Sequence, residues 1–173
     1  MLIFQPLTEK HDRTSFDCGV SSLNHFLQKT ARQHREKGLS NTYVLLDEAD
    51  PLHVLGYFTL SFLEVDAVTL PIPHTRKLPK LSRLPAAKLA RLAVASNFQG
   101  RGYGALMLAE AIRRVVLASQ ESGAITGFFV DAKDEQAQKF YLHYGFLQLN
   151  DNPLKLFLPI GSLRVLTSML SGS

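Results

Sequence analysis

The chain has 173 residues, 46% hydrophobic and 20% charged, which is enough to bury one core and too apolar for a disordered protein. Its single cysteine, Cys18, excludes an intrachain disulfide, and no apolar run reaches the ~18 residues that a membrane-spanning helix needs. The start lacks the basic and apolar regions of a secretory signal. We therefore expect one cytoplasmic domain over residues 1–173 with no membrane segment. The net charge is +4.

The first part of the chain predicts a strand, a helix and a pair of strands. LIFQPL is typical of a short edge strand, and Ser21 or Ser22 can cap the helix that follows. Apolar side chains recur at helical spacing from Leu23 to His34, and Gly38 is placed to end that helix. The β-rich runs TYVLL and HVLGYFTLSFLEV, with the turn DEADP between them, predict an antiparallel pair.

The next segment predicts a loop or a short turn, because its proline density argues against a long helix or a central strand. These prolines are Pro71, Pro73, Pro79 and Pro85. No acidic residue lies between Asp66 and Glu110. A stretch of one charge sign suggests an anionic partner, either a nucleic acid or a phosphorylated cofactor, and a solvated basic face is the alternative.

The rest of the chain alternates strands and helices. KLARLAVA predicts a strand, followed by a glycine-rich loop and a helix from about Gly104 to Glu121. AITGFFVDA predicts a buried strand, and Asp134 is placed to cap a helix that runs through Tyr144. FLQLN and LKLFLPI predict closing strands, and the tail predicts a short helix. The order β-α-β-β-β-α-β-α-β-β indicates a mixed α/β sheet in one domain.

The most specific local motif is the loop from Gln99 to Gly104, which lies between a predicted strand and a predicted helix. Glycines allow a sharp turn and the close approach of a ligand, and the free N–H groups of a helix start favour an anion. A pyrophosphate fits such a site, and Arg101 can add a charged hydrogen bond.

Two other phosphate motifs are excluded. A P-loop needs Gly-Lys-Ser/Thr, and a Rossmann site needs G-x-G-x-x-G with a later acidic residue; the spacing of Gly100, Gly102 and Gly104 fits neither. A glycine-rich turn without a ligand remains the alternative on these residues alone.

The chain resembles the GNAT N-acetyltransferases. Gln99, Gly102 and Gly104 match the Gln-x-x-Gly-x-Gly signature that holds the pyrophosphate of acyl-CoA in that family. Residues 92–94 resemble its central bulged strand, and residues 137–146 match its A-x-x-F-Y-x-x-x-G-F segment. The resemblance covers almost the whole chain. It implies an α/β (α+β) GNAT fold, with a mixed, mostly antiparallel sheet of about six to seven strands and about four helices.

The same resemblance implies that acetyl-CoA is the donor. The donor would contact Leu92, Ala93, Val94, Gln99, Gly100, Arg101, Gly102, Tyr103, Gly104 and Phe140. It also places the hydroxyl of Tyr141 near the CoA sulfur, as the catalytic proton donor to the departing thiolate. A phenol with a pKa of ~10 suits that role. On spacing alone, Tyr141 shares an apolar helical face with Ala137 and Tyr144, which favours a packing role.

The sequence does not identify a general base. Asp131 ends one strand, and Glu64 and Asp66 end another, but such residues are more often cap or turn residues or solvated edges. Cys18 and the six histidines lack the spacing of metal ligands or nucleophiles, so we expect no metal and no covalent acyl-enzyme.

A narrower resemblance is to the GNAT toxins of bacterial toxin–antitoxin pairs. It rests on the segments FDCG, LNHFL, TYV, LARLAV and DNPL. Those toxins acetylate the α-amino group of aminoacyl-tRNA and block translation, and their partner is a ribbon-helix-helix antitoxin. The resemblance therefore implies charged tRNA and such an antitoxin as partners, and it leaves a homodimer open.

Basic side chains are the candidates for binding tRNA, because phosphate contacts dominate nucleic-acid affinity. They are Lys29, Arg32, Arg35, Arg76, Lys77, Lys80, Arg83, Lys88 and Arg91. An ordinary GNAT enzyme acting on a small amine or a protein N-terminus is the alternative, although it would favour an acidic acceptor pocket. A non-catalytic binding module is a third reading, which the intact loop and Tyr141 argue against.

Overall fold

The computed structural model describes residues 1–66, 70, 83–122, 125–149 and 152–171. Seven strands are present: β1 (Leu2–Pro6), β2 (Asn41–Asp47), β3 (Gly56–Asp66), β4 (Arg83–Val94), β5 (Gly127–Asp131), β6 (Leu147–Leu149) and β7 (Asn152–Pro159). The α-helical segments are α1 (Ser21–His25), α2 (Ala31–Glu36), α3 (Tyr103–Ser122), α4 (Glu135–His143) and α5 (Ile160–Ser171). The predicted helix in the tail is therefore present as α5.

The strands form one sheet in the order β1-β2-β3-β4-β5-β7-β6. β4 and β5 run parallel, with Ala87 opposite Phe128. The pairs β1–β2, β2–β3, β5–β7 and β6–β7 are antiparallel. The predicted fold class, a mixed and mostly antiparallel sheet with flanking helices, is confirmed. Among the described residues, no helix combines the length and apolarity that crossing a membrane requires.

The chain divides into two compact units. The first comprises Met1–Ser61 and Ala90–Ala111. Its core is aromatic around Tyr57, whose ring is fully buried and makes an edge contact with Phe16 at 5.5 Å between centroids. The Tyr57 hydroxyl donates a hydrogen bond to the carbonyl oxygen of Leu23 at 2.6 Å, which ties β3 to α1.

The first helix differs from its prediction in two ways. Neither serine caps it: Val20 is the N-cap, without a side-chain hydrogen bond. A π-helical turn, Phe26–Thr30, separates α1 from α2. Its first two residues, Phe26 and Leu27, are both in the core, at 4% and 0% exposure. Apolar spacing at 3, 4 and 7 residues predicts the helix but cannot reveal a π turn inside it.

The second unit comprises Phe62–Leu89 and Ile112–Ser173. Asp134 caps α4 as predicted, because its side chain accepts a hydrogen bond from the Ala137 amide at 2.8 Å. The prediction for Pro85 was wrong, since this proline lies inside β4. A strand tolerates proline where only the carbonyl is needed, and the Pro85 carbonyl accepts a hydrogen bond from the Thr126 amide at 2.9 Å.

Candidate functional site

The glycine-rich loop joins the end of β4 to the start of α3 in the first unit. Gly100 and Gly102 have φ angles of +80° and +82°, a region that other residues rarely adopt. A Cβ added to either glycine would meet no protein atom within 4 Å. The loop therefore combines a backbone that requires glycine with open space in front of it, which is what a closely approaching ligand needs.

The start of α3 supplies hydrogen-bond donors to that space. The Leu106 amide donates to the Gly102 carbonyl at 3.1 Å, so the amides before it, at residues 103–105, have no acceptor within the helix. α3 is 20 residues long, and its dipole places partial positive charge at this end. These features suit the predicted pyrophosphate site.

The side chain of Gln99 links the loop to the neighbouring backbone by hydrogen bonds. Its side-chain amide donates to the carbonyl oxygens of Val94 at 3.0 Å and Cys18 at 3.1 Å. The Ser96 amide donates to the Asp17 carbonyl at 2.8 Å. The side chain of this predicted donor-binding residue thus braces the loop.

Asn24 extends this brace to α1. It accepts a hydrogen bond from the Cys18 amide at 2.8 Å and donates one to Asp17 Oδ1 at 2.9 Å. The segments FDCG and LNHFL are therefore linked to the glycine-rich loop by hydrogen bonds. Sequence reasoning attached both segments to the toxin resemblance but missed their role in supporting the loop.

Arg101 and Tyr103 flank an aromatic ring beside the loop. The guanidinium carbon of Arg101 lies 5.0 Å from the centroid of Phe98, and its Nη2 donates to the Asn97 carbonyl at 3.4 Å. The ring of Tyr103 lies nearly parallel to that of Phe98, with centroids 6.4 Å apart. Arg101 is exposed, so it remains available to an anion at the loop.

Residues 92–94, which are predicted to hold the thioester, are the last three residues of β4. Ala93 is buried against the core of the first unit, whereas Leu92 and Val94 are half-buried. This alternation is that of a strand with one face in the core and one face available.

Tyr141 lies on α4 in the second unit, and only 6% of it is exposed. Its ring contacts Phe140 at 5.2 Å and Phe146 at 5.5 Å between centroids. Burial raises the pKa of the Tyr141 hydroxyl well above its usual range. The hydroxyl is therefore protonated at any physiological pH, as a proton donor must be. The packing that the helical spacing predicts is also present.

Two of the predicted tRNA-binding cations on β4 are paired with acids. Lys88 Nζ lies 2.6 Å from Asp131 Oδ2, and Arg83 Nε lies 3.7 Å from Glu64 Oε2. The acid-free stretch of sequence is thus not acid-free in space, because neighbouring strands bring carboxylates from elsewhere in the chain. Asp131 and Glu64, which were weighed as general bases, are both engaged by these cations.

The remaining predicted tRNA-binding residues are placed differently. Arg32 Nη2 lies 3.6 Å from Glu9 Oε2, and Arg35 donates to the Leu7 carbonyl at 2.9 Å. Lys29 is exposed, and Arg91 lies over the ring of Phe26. Residues Arg76, Lys77 and Lys80 lie outside the described residues. Within the described part of the chain, no three His, Cys, Asp or Glu side chains are grouped so that they could hold a metal ion.

Comparison with known proteins gives a consistent family. Residues 39–148 match the family model described as an acetyltransferase (GNAT) domain. The chain is 32% identical over 160 residues to a tRNA-acetylating toxin of Mycobacterium tuberculosis, covering 92% of this chain and 93% of that protein.

Two solved structures of the AtaT toxin are similar over nearly the whole chain. AtaT complexed with acetyl-methionyl-tRNAfMet is 36% identical, with a TM-score of 0.86 over 96% of this chain and 99% of that one. A tyrosine-to-phenylalanine variant of AtaT, bound to acetyl-CoA and the C-terminus of the antitoxin AtaR, is 34% identical, with a TM-score of 0.79 over 95% of this chain and 97% of that one.

Proposed function

The chain belongs to the GNAT acetyltransferase family, and from that premise we propose that it acetylates the α-amino group of aminoacyl-tRNA and thereby blocks translation. The observation that carries this proposal is the similarity, over nearly the full length, to a toxin that acetylates tRNA and to AtaT bound to acetylated methionyl-tRNA. Residues 1–173 act as one catalytic domain, and the cytoplasm, where charged tRNA is found, is its place of action.

Acetyl-CoA is the donor in this proposal. The loop between β4 and α3 has the features that its pyrophosphate requires, namely two glycines at positive φ, open space in front of them and the free amides of a helix start. Arg101 adds a positive charge beside the loop. β4 ends at Val94, shortly before the loop, and we assign the pantetheine arm to this end of the strand.

Tyr141 protonates the leaving group. The α-amino nitrogen of the acceptor attacks the carbonyl carbon of the thioester, the C–S bond breaks, and the CoA sulfur receives the hydroxyl proton of Tyr141. The raised pKa of Tyr141 keeps its hydroxyl protonated before the transfer and excludes tyrosinate as the base that deprotonates the amine. The same shift makes the phenol a weaker acid, so its proton moves to the sulfur only as the thiolate forms beside it, and solvent then returns a proton to Tyr141. The amine of an aminoacyl ester is only weakly basic, so water can accept its proton.

An antitoxin is the second partner in this proposal. AtaT is seen bound to the C-terminus of the antitoxin AtaR, and we extend that type of partner, a small ribbon-helix-helix protein, to this chain. Its binding would restrain the enzyme until the antitoxin is removed.

The test uses purified protein, acetyl-CoA labelled in the acetyl group, and matched preparations of aminoacylated and deacylated tRNA. We expect label to enter only the aminoacylated tRNA and to be released with the amino acid when the ester is hydrolysed. Equal labelling of free amino acids or polyamines would instead support an ordinary GNAT enzyme for small amines. Labelling of neither tRNA preparation would overturn the proposal.

A further inference from the structure

Arg91 occupies an unusual position on β4. Its guanidinium carbon lies 3.6 Å from the centroid of the Phe26 ring, which is the distance of direct face contact. The Phe26 ring is itself fixed, since it stacks on Tyr57 and takes an edge contact from His34. Arg91 is thus held against a rigid aromatic platform, and it loses little further freedom when a ligand binds.

The edge of this guanidinium has no acceptor among the residues that the structure describes. Neither a hydrogen bond nor an ion pair joins its nitrogens to the described part of the chain, although Arg91 is only half exposed. The nearby Tyr57 cannot supply a negative charge, because burial raises its pKa and its hydroxyl donates to Leu23. No fully buried side-chain nitrogen or oxygen of the described residues lacks a partner, so the Arg91 nitrogens keep some exposure to solvent.

Arg91 differs in this respect from the other cations of its strand. Lys88 and Arg83 have carboxylate partners. A guanidinium whose face is covered and whose edge is free presents several coplanar N–H donors in one direction, which suits bidentate binding of a phosphate. Arg91 also directly precedes Leu92, in the strand segment to which the donor arm is assigned.

We propose that Arg91, positioned by the Phe26 ring, binds a backbone phosphate in the single-stranded acceptor end of aminoacyl-tRNA. This inference rests on the proposed function and names the contact that aligns the acceptor. Phe26 is the first residue of the π-helical turn, and its ring lies in the core beneath Arg91. Phe26 acts only as a positioning residue.

The test compares Arg91→Met with wild type on two acceptors, aminoacyl-tRNA and 3′-aminoacyl-adenosine, which carries the same amino ester but no phosphate. A charged phosphate contact contributes about a tenfold to hundredfold effect. We expect the KM for aminoacyl-tRNA to rise about tenfold or more, with kcat nearly unchanged. The activity on 3′-aminoacyl-adenosine and the acetyl-CoA affinity should both stay at the wild-type level. The salt dependence should lose about 0.7 in logarithmic slope.

Arg13→Met is the matched control, because Arg13 is also a half-exposed arginine of the first unit and lies in neither proposed site. Arg91→Lys should recover part of the tRNA effect, since it restores the charge but not the planar fork. Phe26→Leu alone should raise the KM for aminoacyl-tRNA. Added to Arg91→Met, it should raise that KM little further. This pattern distinguishes a positioning role of Phe26 from a loss of fold.

Four outcomes are informative. A normal KM for aminoacyl-tRNA in Arg91→Met overturns the phosphate contact while leaving the proposed function intact. An equal loss on both acceptors assigns Arg91 a role without phosphate, and a fall in acetyl-CoA affinity assigns it to the donor; either overturns this inference. Failure of wild type to acetylate either acceptor overturns the proposed function itself.

Discussion

The hydroxyl of Tyr141 is a single oxygen atom whose removal separates catalysis from packing. We expect Tyr141→Phe to fold and to bind acetyl-CoA normally, because the contacts of its ring with Phe140 and Phe146 do not need the hydroxyl. Turnover should fall by about 10²–10⁴, the usual effect of a missing general acid. Single-turnover transfer to aminoacyl-tRNA, with calorimetry of acetyl-CoA binding, measures both properties.

Tyr144→Phe is the control for this experiment. Tyr144 follows the end of the same helix and contacts Phe140 at 5.1 Å between centroids, but it is half-buried and has no proposed role in the reaction. Its turnover should match wild type. Near wild-type turnover in Tyr141→Phe would return Tyr141 to a purely structural role.

His11 makes the stability of the first unit depend on pH. Burial lowers its pKa below the ordinary value of 6.5, and Nδ1 accepts a hydrogen bond from the Thr8 amide at 3.0 Å, which requires a neutral ring. A lowered folded-state pKa gives stability that is present above pH 6.5 and is lost as pH falls through the folded-state value. The Tm should therefore fall as the pH is lowered below 6.5.

His11→Asn should show a smaller fall in Tm over that range, because asparagine can accept the Thr8 hydrogen bond without titrating. His25→Asn is the control, since His25 is exposed, and it should keep the wild-type pH dependence. If Tm depends on pH in the same way in wild type and both variants, His11 does not cause the loss of stability at low pH.

The loop between β4 and α3 is tested best by comparing two glycines with the same backbone. Gly102 and Gly38 have φ angles of +82° and +72°, and a Cβ on either would meet no protein atom within 4 Å. Gly102→Val and Gly38→Val should therefore lose similar stability from strain. Only Gly102→Val should lose acetyl-CoA affinity, because its side chain enters the space in front of α3.

Isothermal calorimetry of both glycine variants, at a temperature where each is folded, measures their affinities for acetyl-CoA. If both variants bind acetyl-CoA as tightly as wild type, the loop does not hold the donor. If Gly38→Val loses affinity as strongly as Gly102→Val, the effect is one of general stability.

At the level of elements, local signals predict most of the architecture. The periodic runs predict the strands and long helices, and the Asp134 cap is readable because capping is a local hydrogen bond. The failures are also physical. The π turn begins at Phe26, whose ring stacks on Tyr57 of β3, and the Pro85 carbonyl accepts a hydrogen bond from the Thr126 amide. Both depend on partners far away in the chain.

At the level of the whole molecule, charge is the property that sequence predicts least well. The stretch from residue 67 to 109 contains no acid, yet Lys88 meets Asp131 across 43 residues of sequence and Arg83 meets Glu64. The loop motif could be predicted because its glycines act locally, whereas the brace of Gln99 on Cys18 spans 81 residues. The availability of each cation for RNA is set by such distant neighbours.

The difference between paired and unpaired cations predicts how the reaction with tRNA depends on salt concentration. For wild type, log(kcat/KM) with aminoacyl-tRNA should fall linearly with log salt concentration, at about −0.7 to −0.9 per phosphate contact. Lys29 is exposed and has no ion pair with the described residues, so Lys29→Ala should reduce the slope by about one contact. Lys88→Ala should reduce it less, because Asp131 already neutralises part of that charge. Lys139 is an exposed lysine of α4 with no assigned role, so Lys139→Ala should leave the slope unchanged.

The salt slope is measured from initial rates at five or six salt concentrations for wild type and the three variants. A flat salt dependence in wild type would mean that phosphate contacts do not contribute to binding of the acceptor. An equal reduction in all three variants would mean that only the net charge matters.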